Sequence, residues 1–156
     1  MPGQKLRNYL DENRIRYVSI MHSPAFTAQG IAHSAHISGK ELAKTVVIKI
    51  NGKFALAVLP ASHKVSLENF RKAFSVQNVE LCREDEFRDT FPDCELGAMP
   101  PFGNLYGLQV YACHELTKDK EIAFNAGSHS ELIRMEYADF ERLAKPVVMD
   151  FAVLSS

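Results

Sequence analysis

The chain has 156 residues, a size suited to one globular domain, which excludes a pair of independent catalytic domains. Its composition, 46% hydrophobic, 10% aromatic and 24% charged, is enough apolar material to close a core and excludes a disordered or collagen-like chain. With 18 Lys+Arg against 19 Asp+Glu the formal net charge is -1, so a generally basic coat is excluded and any nucleic acid must be held by a local basic patch.

The first segment predicts a helix. Leu6, Tyr9, Leu10 and Arg14 recur at three- and four-residue spacing behind Gly3, and the pattern ends near Asn13. The amino terminus enters this polar amphipathic stretch without the apolar core of a signal peptide, and no segment approaches the roughly 18 consecutive apolar residues of a membrane span, so the cytoplasm is the expected compartment. Residues 16–21 alternate polar and apolar and predict a strand, which Ser23-Pro24 stops. Thr27 is placed to cap a short helix through Ala35, with Ala28, Ile31, Ala32 and Ala35 on its inner face. The strongest local signal follows: apolar runs at 45–50 and 53–59 flank Asn51-Gly52, the dipeptide that favours a type I′ hairpin turn, and Pro60 ends the second run. Ser66 is expected to cap a helix to about Phe74, residues 79–81 to form a short strand, and Glu84, Asp85 and Glu86 to open a helix that carries Phe87 inward and closes at Pro92.

Residues 92–104 hold three prolines and two glycines, which predicts a shaped loop, and a loop this long in a compact domain is usually functional. Strands are expected at 105–112, 121–125 and 132–135, and Asp139 is expected to open a last helix that runs to Ala144. With no repeat, low-complexity tract or linker, residues 1–156 read as one α+β domain around a curved sheet. The apolar tail at 146–156 is expected to pack on the domain or on a second copy, which leaves monomer and homodimer both open.

Common hydrolytic and metal chemistries find little support. There is no GxSxG elbow, and Gly127-Ser128-His129 places Ser and His side by side, where they usually point apart. Cys82, Cys94 and Cys113 are an odd number without CxxC spacing and are expected to be buried free thiols. His33 and His36 stand three apart, but His22, His63 and His114 are scattered, so no metal is expected. Three features remain. Lys44 stands at the mouth of the central strand, where a solvated edge lysine is the plain alternative. The loop from Gly97 through Ala98, Met99, Pro100, Pro101 and Phe102 to Gly103 can present backbone N–H groups to a carbonyl or oxyanion, or simply form a rigid turn under Phe102. The stretch from Asn125 to His129 reads as a tight link between strands.

In this order, with the Asn-Gly hairpin between the first two, these features resemble the YbaK/ProX aminoacyl-tRNA deacylase family, whose fold also occurs as the editing domain of bacterial prolyl-tRNA synthetases. The resemblance runs from about Leu6 to Leu143. It is carried by Glu41-Leu42-Ala43-Lys44 and the strand after it, Leu59-Pro60-Ala61, the Gly97-x-x-x-Pro101-Phe102-Gly103 loop and Ala126-Gly127-Ser128-His129. It implies a strongly curved, barrel-like mixed sheet flanked by helices, and hydrolysis of the ester joining a mischarged small amino acid to the terminal adenosine of tRNA. The partners it implies are the acceptor end of aminoacyl-tRNA and a synthetase; no membrane, metal, cofactor or protein nucleophile is implied.

The resemblance also implies roles. The amides of Gly97, Ala98 and Met99 would hold the ester carbonyl, Lys44 a phosphate or ribose oxygens, and His129 the amino acid or a water, while the vicinal ribose hydroxyl assists the attack. Pro101, Gly127 and Ser128 would contact substrate, with Phe26, Thr27, Ile31, Thr45 and Val47 as pocket walls; Phe26 and Ile31 read equally well as core. Alanine-clearing members often carry Asn after the lysine, where this chain has Thr45, and the cysteine-clearing and synthetase-inserted members are closer at this point. The competing expectation is a non-catalytic module that docks on the aminoacylated CCA end or on a synthetase.

Overall fold

The computed structural model describes residues 2–23, 30, 37–75 and 78–155. Helix α1 (Gln4–Glu12) follows Gly3 and ends at Asn13, burying Leu6 and Leu10, as their spacing predicts. Strand β1 (Tyr17–Met21) comes next, and the helix expected after Thr27 lies outside the described residues. The hairpin of β2 (Ala43–Ile50) and β3 (Lys53–Pro60) turns at Asn51 and Gly52, both at positive φ as a type I′ turn requires. After β4 (His63–Val65), the Ser66 hydroxyl accepts the Asn69 N–H and caps α2 (Leu67–Phe74). Strand β5 (Val79–Leu81) leads to the short α3 (Glu84–Phe87), which buries Phe87.

The remaining strands are β6 (Gln109–Cys113), β7 (Glu121–Ser128) and β8 (Glu131–Glu136), followed by α4 (Tyr137–Ala144), β9 (Val147–Met149) and β10 (Ala152–Leu154). The strand expected from residue 105 starts only at Gln109, because residues 103–105 wind into a 3-10 turn and Gly107 sits at φ 72. The apolar tail is part of the domain: β9 runs parallel to β6, and β10 pairs antiparallel with β4. Three residues give alternation little to show: the sequence predicts the equally short β5, but not β4, β9 or β10.

The strands form a five-stranded mixed sheet in the order β5-β2-β3-β6-β9, a three-stranded sheet β1-β8-β7, and the pair β10-β4. The two larger sheets touch through a parallel bridge between Leu42 and Ala123. Beyond it β7 is irregular between Asn125 and Ser128, and among the described residues the sheets do not close into a barrel. The architecture is therefore mixed α+β, and among the described residues the sheet is not a closed barrel.

Alternation along β2 sorts its side chains between compartments. Ala43 and Val47 enter the larger core, which gathers Leu6, Phe102, Phe124 and Phe140. Val46, Ile48 and Ile50 face the second cluster under α2, where Phe70 stacks on Phe151 with ring centroids 4.6 Å apart. Phe151 is fully buried and anchors the tail. Phe151→Ala is expected to lower unfolding free energy by about 3–5 kcal/mol in urea titrations; a loss below about 1 kcal/mol would show that the tail is dispensable to the fold.

Candidate active site

The two loops that the sequence presents as separate motifs form one hydrogen-bonded unit. The Ala98 N–H donates to the Glu95 carbonyl at 3.0 Å, closing a turn with Gly97 at its tip. The Glu95 N–H donates to the Gly127 carbonyl at 2.7 Å, and the Gly127 N–H returns the contact to the Ala98 carbonyl at 3.0 Å. The His129 N–H donates to Glu95 Oε1 at 2.7 Å, and its ring Nε2 lies 2.8 Å from the Leu96 carbonyl. A carbonyl only accepts, so Nε2 carries the proton and the ring is fixed against the loop.

Gly97 stands at φ 87 with an exposed outer side. A Cβ there would lie 3.3 Å from Glu84 Oε1 and 3.5 Å from His129 Cε1, so an imidazole edge and a carboxylate border the turn. The Ala98 amide is used within the turn; the amides of Gly97 and Met99 meet no backbone carbonyl among the described residues. Pro100 and Pro101 are buried, and Met99 and Phe102 sink into the larger core, holding the loop at its far end. Sequence reasoning passed over Glu95 and Glu84. Glu95 ties together three points of the unit, and the only local signal was an acid two residues before the loop glycine.

Lys44 is the second residue of β2, opposite Leu59 on β3. Burial pushes its ammonium below the ordinary lysine range, and among the described residues no carboxylate or hydrogen-bond acceptor reaches it. Alternation puts Thr45 and Val47 on the other face of β2, and Val47 is buried in the larger core. Gly127 is buried within the stitched unit, and the Ser128 hydroxyl lies in its own turn, 3.4 Å from the Ser130 hydroxyl. Phe26, Thr27 and Ile31, like His33 and His36, lie outside the described residues. The structure therefore brings residues 97–98 and 127–129 together and leaves Lys44 on β2, beside β7.

The thiols are poor nucleophiles. Burial pushes Cys82 and Cys94 up to about 11, and Cys113 is raised for the same reason. Among the described residues no three His, Cys, Asp or Glu side chains are grouped to hold a metal ion, and no helix is long and apolar enough to cross a membrane.

The model of the aminoacyl-tRNA editing domain matches residues 22–143. The chain belongs to this family, the YbaK/ProX-type aminoacyl-tRNA deacylases. It is 26% identical over 153 residues to the multifunctional Ser/Thr-tRNA deacylase ProXp-y of Escherichia coli K12, a match covering 95% of this chain and 91% of that protein. It is also 28% identical over 79 residues to the proline–tRNA ligase of Bacillus cytotoxicus, covering 51% of this chain and 14% of the ligase. Among solved structures, the hypothetical protein APE2540 superposes with a TM-score of 0.85 at 18% identity, covering 96% of this chain and 100% of that one. A candidate trans-editing enzyme for prolyl tRNA synthetase superposes at 0.81 and 17% identity, covering 97% and 96% of the two chains. These two likenesses establish the fold.

A lysine depressed by burial destabilises the folded state while it holds its proton. That penalty is full below the folded pKa and fades as pH rises toward the ordinary value of 10.5. Lys44→Met removes it, so the variant should melt at the wild-type temperature or about 2 °C above it at pH 7, and should lose the rise in stability on approaching pH 10. A lower melting temperature would assign Lys44 a structural role.

Proposed function

We propose that the protein is a trans-editing deacylase that hydrolyses the ester between tRNA and a wrongly attached small amino acid, with serine and threonine the leading substrates. The serine/threonine assignment draws on the likeness to ProXp-y, which runs almost the length of that protein and not along one segment of a ligase. The observation that carries the chemical reading is the Gly97 turn fastened to His129, in which the Gly97 and Met99 amides meet no backbone carbonyl among the described residues.

In this reading the amides of Gly97 and Met99 donate to the ester carbonyl oxygen, where negative charge develops as water adds to the carbon. The acyl C–O bond then breaks. The ribose oxygen leaves with a proton supplied through the vicinal hydroxyl, and the free amino acid departs as its carboxylate. Ala98 contributes its carbonyl to Gly127 and its amide to the turn, so it shapes the donors without being one of them. His129 holds Leu96 and thereby Gly97. Lys44 supplies a cation for a phosphate or ribose oxygen of the terminal adenosine, with neither a metal nor a protein nucleophile taking part.

Gly97→Ala tests the turn. The added methyl group meets Glu84 and His129 and strains a left-handed backbone, so turnover on seryl-tRNA should fall on the order of a hundredfold to a thousandfold, with little change in melting temperature. Wild-type turnover in a folded variant would remove the turn from the chemistry.

Substrate assistance is tested separately with an aminoacyl-tRNA whose terminal adenosine lacks the vicinal hydroxyl. The intact protein should cleave it far more slowly than the ordinary substrate. Cleavage at the ordinary rate would transfer the proton-handling role to a side chain, with His129 the first to replace.

A further inference from the structure

Strand β7 is closed to solvent along its inner run, with Ile122, Ala123, Phe124 and Ala126 all at 0% exposure, and Asn125 interrupts it. The Asn125 Oδ1 is buried and meets no donor among the described residues. An unpaired buried amide oxygen is destabilising, and such groups are uncommon in folded proteins unless a ligand or water completes them.

Its position indicates which ligand. Leu42 and Ala123 form the bridge between the sheets, with the Ala123 N–H donating to the Glu41 carbonyl at 3.0 Å. Bridged residues share a side and side chains alternate along each strand, so the next same-side positions after the bridge are Lys44 on β2 and Asn125 on β7. On its other flank Asn125 is paired with Leu132 of β8, which is paired in turn with Ile20 of β1. Ile20, Leu132 and Asn125 thus make one paired row, and Lys44 lies on the same side of the neighbouring strand, two positions past the bridge. Leu132 also packs with Leu42 and Ala123 in a small buried apolar cluster. The result is an apolar floor that carries one unpaired amide oxygen, with the Lys44 cation on the same side of the adjoining strand.

We propose that Asn125 is a specificity-determining residue of the deacylase, whose carboxamide hydrogen-bonds the side-chain hydroxyl of the esterified amino acid. The neighbouring ammonium of Lys44 disfavours the substrate's own α-ammonium at this place and leaves a neutral group as the partner. A hydroxyl both donates and accepts, so it satisfies an amide presented in either orientation. The apolar floor accommodates the β-carbon of serine and the extra methyl of threonine. This inference rests on the serine/threonine reading above.

The test compares the full-length protein with Asn125→Leu, which keeps the shape and removes both polar ends, and with Asn125→Ala in case leucine does not fit. Each is assayed on one tRNA body charged with serine, threonine or alanine. Seryl and threonyl turnover should fall about tenfold to a hundredfold while alanyl turnover holds or rises, so that the serine-over-alanine ratio collapses. Melting temperature should not fall, since no bond within the protein is lost. An equal fall on all three esters, or unchanged seryl and threonyl turnover, would overturn the role of Asn125. Failure of the wild-type protein to cleave seryl and threonyl esters would instead overturn the substrate reading, and the proposal with it.

Discussion

The N-terminal turn lies against the end of β7 more closely than any side chain permits. A Cβ on Gly3 would stand 1.9 Å from the Ala126 carbonyl oxygen, and one on Gly127 would stand 2.6 Å from the Gly3 nitrogen. Both glycines have positive φ, and the contact is backbone against backbone. From it the Gly3 N–H reaches the Asp93 carbonyl at 2.9 Å, which fixes the start of the loop that ends in the Gly97 turn. Helix α1 then leaves in the direction that buries Leu6 and Leu10, and Arg7 pairs with Glu131 at the start of β8, opposite Ser128 at this same end of the β-hairpin. The frame behind the turn thus consists of peptide groups, which have few ways to relax. Donors held on such a frame need no reorganisation as charge develops on a bound ester.

Two lysines on β2 show what separates a structural charge from an available one. Lys49 bonds Glu86 at 2.7 Å, and that bond raises its pKa. Lys44, five positions earlier on the strand, has no such partner and is lowered by burial. Lys49 is matched within the fold and ties β2 to α3; Lys44 is half-buried in a place that would be better served by an apolar side chain. A fold that retains an unmatched cation there is less stable than it could be, which is the pattern expected where a residue answers to a substrate and not to packing.

What the sequence made legible was local. The Asn-Gly turn, the Ser66 cap and the spacing of Leu6 and Leu10 each specify their element with residues a few positions apart, and each element stands as expected. The short strands β4, β9 and β10 were not legible, unlike the equally short β5: β4 and β10 pair with each other across most of the chain and β9 with the distant β6, and three residues carry little period of their own. The same division runs through the candidate site. Gly97 and His129 stand out as residue types in a motif, whereas the use of the Ala98 amide within the turn and the triple role of Glu95 depend on hydrogen bonds between distant stretches of chain. Glu84 reads from sequence as a helix-start acid, and nothing local indicates that its carboxylate also faces Gly97. The proposed pocket walls divide likewise: Thr45 and Val47 follow Lys44 in sequence but alternate to the opposite face of the strand.

Apart from the Glu84 carboxylate, which borders Gly97, the polar groups nearest the turn are engaged in building it, and this bears on where the reaction's proton chemistry resides. The His129 Nε2–H is held by Leu96, the Glu95 carboxylate by the His129 amide, and the Ser128 hydroxyl by its own turn. The Cys94 thiol stays protonated at neutral pH beside Tyr106, whose hydroxyl donates to Asp93 at 2.8 Å. Recruiting the engaged Glu95 carboxylate or Ser128 hydroxyl as a base would mean releasing a bond that helps to keep the donors in place, weakening carbonyl binding as it activated the water. A hydroxyl on the substrate carries no such conflict, because it arrives with the ester and sits beside the scissile bond by covalent structure. An aligned group on the same molecule also avoids the entropy of bringing a separate catalyst into position. In the proposed reaction the protein therefore holds the carbonyl and anchors the acceptor end, while proton movement is left to the ribose and the water.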